Sequence, residues 1–189
     1  STGSSYRVRL DTIVKRAHDV WSIIGSNKKI PPAVRAYVVF HHVAKVFEET
    51  YDETVPLSMF TDAMMNRGKL RPMRQLNGVS CQACEDNPTF HLPQLAKHFR
   101  KEHVELPEAR RLPPMDWRIH KIKLPEDERL AVLADKLREN PLAYAVVEEA
   151  IPWAFEQRFI DKFAQTPLPA KPTAAPAKET NKLANQVSS

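Results

Sequence analysis

The chain has 189 residues, 42% hydrophobic and 27% charged, which suits one ordinary soluble domain with room for a real core. It has no run of about 18 apolar residues, which excludes a membrane-spanning helix. Two cysteines among 189 residues exclude a disulfide framework, and a net charge of +5 leaves an anionic partner open.

The start, STGSSYRVRL, lacks both a Met and the apolar core of a secretory signal. It is expected to be a processed or excised beginning, with residues 1–5 disordered. Leu10, Ile13, Val14, Ala17, Trp21 and Ile24 then recur at helical spacing, and Gly25 stands where that helix should stop. Pro31 and Pro32 suit the entry to a second helix with Val34, Tyr37, Val38, His41, Ala44 and Phe47 on one stripe. A shorter third helix is predicted from Pro56 to near Gly68, carrying Leu57, Phe60, Met64 and Met65. The methionines here, with Met59 and Met73, read as core filler, an adaptable binding groove being the alternative.

The adjacent His41 and His42 point about 100° apart on a helix, so a shared ligand is disfavoured. His41, on the apolar stripe, is expected to be the partly buried one. Charge concentrates further on: residues 67–123 hold 12 Lys and Arg against 6 Asp and Glu, while the rest of the chain is nearly balanced.

The stretch CQACEDNPTFHLPQLAKHFRKEH places Cys81, Cys84, His98 and His103 in the pattern Cys-x2-Cys-x13-His-x4-His. Two cysteines with two residues between them can face one ion from a tight knuckle, and two histidines with three to five residues between them can do so from a helix. The spacing points to one structural Zn2+, because four protein ligands leave no coordination position for water or substrate. A Cys-x-x-Cys redox pair is the competing reading, although no βαβ pattern surrounds it. His91 is a spare imidazole that could replace one ligand.

Residues 79–103 resemble a C2H2 zinc finger, with Leu95 in the family's leucine place and Phe90 as the aromatic filler. Val79 stands where an aromatic is common, and Phe90 is displaced toward the helix, so the turn between knuckle and helix must differ. The resemblance implies that His91, Gln94 and Lys97 occupy the helix positions that face bases in DNA-reading fingers. Arg67, Lys69, Arg71, Arg74, Arg100 and Lys101 are the cations available for phosphates. A lone finger covers only about 3 bp, which argues against site-specific reading.

The Pro-rich stretch from Val104 to Met115 reads as a connector. A helical region from Asp116 follows, its acidic first turn at 126–128 and its apolar face on Leu130, Leu133, Ala134 and Leu137. Pro141 should start another helix with Leu142, Ala145, Val146 and Ala150. Pro152 should break it before a last amphipathic piece, Trp153 to Phe163. Trp117, Trp153 and Phe155 are expected to anchor these helices. The Pro/Ala/Lys-rich tail, 166–189, is expected to be disordered.

The fold expected is mainly α: a helical part over 6–74, a Cys2His2 finger over 75–104, a second helical part over 105–165, and the tail. The function expected is that of a non-enzymatic, zinc-stabilised protein-interaction module of a larger nuclear protein, concerned with chromatin or transcription. Nucleic-acid binding through the basic region is the alternative. No membrane or small-molecule partner is expected.

Overall fold

The computed structural model describes residues 2–86, 88–104 and 122–164. The expected connector beyond Val104, Trp117 and the tail 166–189 lie outside the described residues. The architecture is mainly helical, as the sequence predicts.

Helix α1 (Thr2–Ile24) starts earlier than expected, because residues 2–5, read as a disordered start, form its first turn. Tyr6 in the next turn ties this end down through its hydroxyl to Asp62 Oδ2, 2.5 Å away. Helix α2 (Pro32–Tyr51) begins at the predicted proline pair. It runs antiparallel to α1: Arg9 bonds Glu53, Thr12 meets Tyr51 Oη, and Arg16 meets His42. Gly25 ends α1 under the indole of Trp21, where an added Cβ would lie only 2.4 Å from the ring. Asp52 closes α2 in the left-handed region at φ 54° and donates its N–H to Glu48 O, a conformation that Asp tolerates better than most residues.

Helix α3 (Leu57–Asn66) follows Pro56 and leads into a 3-10 segment, Gly68–Gln75. A two-stranded antiparallel ribbon, β1 (Val79–Ser80) and β2 (Thr89–Phe90), pairs Val79 with Phe90 and Ser80 with Thr89. Helix α4 (Leu92–Phe99) continues into a π turn, Arg100–Val104. After the Cys/His segment, Ile122 is buried and Lys123 N donates to Ser80 O at 2.9 Å, so this stretch touches the end of β1.

The predicted helix beyond Pro125 is two short ones, α5 (Asp127–Ala131) and α6 (Leu133–Lys136), divided at Val132. The break still lets Leu130, Leu133 and Leu137 all reach the core. Helix α7 (Pro141–Ala150) is capped by Asn140 Oδ1, which accepts the Ala143 N–H. Its buried face is Ala143, Val147 and Ala150; Leu142, expected on that face, is 68% exposed. Small alanines let α7 approach α1 and α2 closely, which sets the rotation of the helix. A 3-10 turn, Pro152–Phe155, and α8 (Gln157–Ala164) complete the described chain. Trp153, expected as an anchor, is 39% exposed, and Phe155 instead packs edge-on against Tyr144.

One apolar cluster joins these elements, from Ile13 and Ile24 through Phe47, Phe60 and Met64 to Leu133 and Val147. It also contains Val79, Cys81, Leu92, Leu95 and Phe99 of the Cys/His segment. Each fully buried Leu or Phe contributes about 1.5–3 kcal/mol, so this segment is welded to the helical body rather than standing apart. Among the described residues no helix is long and apolar enough to cross a membrane.

Candidate metal centre

The knuckle is built by two local devices. Asn77 and Gly78 turn the chain into β1, with Gly78 at φ 80°, a conformation that favours glycine. Leu92 N then donates to Leu76 O at 3.0 Å, tying the start of α4 to the residue before that turn. Cys81 follows β1 directly, and Cys84 lies three residues on in the turn between the strands.

The histidines need a further device. Residues five apart on an α-helix are rotated by about 140°, which would separate His98 from His103. The π turn at Arg100–Val104 has i→i+5 hydrogen bonds and a wider turn, which reduces the rotation between residues five apart. The helix end is thus underwound where both imidazoles must face one point.

The four side chains meet there. Each offers one ligand atom, and all four atoms lie within 4.8 Å of one another. Cys84 Sγ is 3.3 Å from His98 Nε2 and 3.4 Å from His103 Nε2, and Cys81 Sγ is 3.5 Å from His103 Nε2. Cys81 is buried and the other three are half-buried; neither cysteine is in a disulfide. Phe90 stacks on the His98 ring at 4.8 Å between centroids, and Leu95 is buried beneath, as expected of the two fillers. Phe99 leans on His103.

The electrostatics suit a cation. Burial first, then the Cys81 sulfur and the acids Asp86 and Glu102, push the Cys84 thiol up. A positive ion between the sulfurs would reverse that. Burial, then the neighbouring His98, pull the His103 imidazole down, toward the neutral form that binds metals. The group could therefore hold a metal ion.

His91 stands outside the group, exposed at the start of α4, and its N–H donates to Gln94 Oε1 at 3.2 Å. Gln94 is thereby turned back on the helix end. Lys69, Arg71, Lys97, Arg100 and Lys101 are exposed. Arg67 and Arg74 have structural partners. Arg67 pairs with Asp11 at 2.9 Å, while Arg74 donates to Met64 O and Arg67 O at the end of α3.

A second polar cluster was not foreseen. His41 is half-buried, as expected, while its neighbour His42 is the fully buried histidine of α2, 1% exposed. Its Nε2 donates to Val146 O at 2.8 Å, while Nδ1 lies 3.4 Å from both an Arg16 nitrogen and Glu149 Oε2. Lys45 also pairs with Glu149. Nothing within α2 signals this choice, because the partners lie on α1 and α7.

No curated protein and no solved structure matches the chain significantly. Residues 3–150 match a family described as a domain of unknown function, DUF7892, a span holding α1 to α7 and all four Cys/His side chains. The chain belongs to that family.

Proposed function

We propose that the domain is a zinc-stabilised, non-enzymatic protein-interaction module of a larger nuclear protein, with one structural Zn2+ on Cys81, Cys84, His98 and His103. The carrying observation is the spacing of the ligand atoms. Zinc bonds of about 2.3 Å to sulfur and 2.0–2.1 Å to nitrogen give tetrahedral edges of about 3.5 Å. The sulfur-to-nitrogen distances are 3.3, 3.4 and 3.5 Å. Four protein ligands complete the coordination sphere, so the ion acts as a clamp. The buried Leu92, Leu95 and Phe99 carry that clamp into the body, so the metal organises the domain as a platform.

Metal analysis of the purified full chain tests this. One zinc per chain is expected, retained through gel filtration, and lost in Cys81→Ser together with amide protection over residues 79–104. Absence of stoichiometric metal in protein prepared with zinc supplied would overturn it.

The second reading is nucleic-acid binding, favoured by the exposed Lys69, Arg71, Lys97, Arg100 and Lys101 around the same segment. The engagement of Arg67, Arg74 and Gln94 within the protein weighs against it.

A further inference from the structure

A pocket of about 370 Å3 opens between the α1–α2 loop and the α5–α6 pair, far in sequence from the metal ligands. Four cations stand around it: Lys28 and Lys29 from the loop, Arg129 from α5 and Lys136 from α6. All four are exposed, and no ion pair within the described residues engages them. Glu128 is the one acidic residue of the lining. The floor is apolar: Pro31, Pro32 and Val132 are half-buried, and Leu133 closes the bottom.

Two other cavities among the described residues lack this combination. The one beside Lys15, Arg67 and Lys69 also contains Asp11 and Asp19, and Arg67 is already paired with Asp11, so two acids offset most of its charge. The one beside Tyr144 and Phe155 carries a single cation, Arg138.

An apolar floor inside an unneutralised cationic rim selects a ligand with the inverse pattern. Charge complementarity steers and orients such an encounter, while a buried apolar anchor supplies affinity. The tail of this chain has the wrong sign, with Lys171, Lys178 and Lys182 against Glu179 alone. We propose that this pocket docks an acidic segment of a partner protein, one apolar side chain seated between Pro31 and Val132 and flanking carboxylates met by Lys28, Lys29, Arg129 and Lys136. The inference rests on the reading of the domain as an interaction module and names where and what it binds. Rigid prolines on one side and a helix break on the other offer a preformed seat, so little ordering entropy opposes binding.

The test is fluorescence anisotropy on the zinc-supplied full chain. The probe is a labelled twelve-residue peptide of Asp and Glu with one central Leu. Controls are the same peptide with Lys for every acid, and a labelled single-stranded oligonucleotide. Saturable binding of the acidic peptide is expected with Kd of about 1 mM or tighter. It should weaken at least tenfold in the double variant Lys28→Glu, Lys29→Glu and again in Arg129→Glu, with circular dichroism unchanged. Lys97→Ala should leave it intact. Absence of peptide binding, or binding unmoved by these reversals, would overturn the proposal. So would an oligonucleotide that binds more tightly and is lost on the same reversals, which would assign the pocket to nucleic acid. A protein captured equally by wild type and by the reversed variants would overturn the pocket and leave the interaction-module reading standing.

Discussion

The α1–α2 pair and the Cys/His segment are held together by different physics. Helices of 23 and 20 residues bury long apolar stripes against each other, so their structure follows from area removed from water. The Cys/His segment has two-residue strands and an eight-residue helix, too short to persist alone. Its geometry depends on four side chains facing one point and on Val79, Leu92, Leu95 and Phe99 sunk into the neighbouring core. The lesson is that one domain can contain a region shaped by buried area and a short region gathered around a cluster able to hold a metal, sharing a single core at their border.

The sharpest break of that comparison is Phe60→Ala. Phe60 is fully buried, its ring tilted against Phe40 at 4.2 Å between centroids. Its loss should cost about 3–5 kcal/mol in thermal or urea unfolding. Zinc stoichiometry measured well below the melting transition should stay at wild type, since no ligand is touched. Concerted loss of metal and helicity below that transition would show that the two regions are not separable.

Gly25→Ala probes the body alone. The new Cβ would press on the Trp21 indole from 2.4 Å, so the ring must move. A destabilisation of about 1–3 kcal/mol is expected for such overpacking, with the amide protection of residues 79–104 unchanged. Equal or greater stability would mean that the ring relaxes freely.

The smallest effect is one of pH. Burial, opposed by the Val146 carbonyl and by Glu149, holds the His42 imidazole below its ordinary range, with Arg16 and Lys45 lowering it further. Protonation therefore favours the unfolded chain. The contribution is whole above the unfolded value of about 6.5 and declines as pH falls from there toward the lower folded value. Glu149, held below the ordinary carboxylate range chiefly by Lys45, adds a separate loss at lower pH. Melting temperatures of wild type and His42→Gln from pH 7.5 to 5.5 should diverge in slope, with wild type the steeper. Parallel slopes would remove His42 from the account.

Much of this is legible in the sequence. The stripe of α1, the proline entries to α2 and α7, and the stop at Gly25 are local signals, and local signals survive in a linear text. The Cys-x2-Cys and His pair were legible for the same reason: four ligand side chains of two types at short separations. Other assignments were not legible because their causes lie far along the chain. His42 is chosen over His41 by Val146 and Glu149, more than a hundred residues away. Arg67 and Arg74, equal in the text to Lys69 and Arg71, are drawn to Asp11 and to the carbonyls at the end of α3.

Most helical segments, and the four side chains able to meet around a metal, can be read from the chain's own order of residues, because periodicity and ligand spacing are properties of near neighbours. Tertiary structure alone decided the rotation of α7, the burial of His42, the underwinding that brings His103 beside His98, and the union of both helical parts in one core. Those outcomes depend on which surfaces meet, and that is settled by packing between elements that no local window contains.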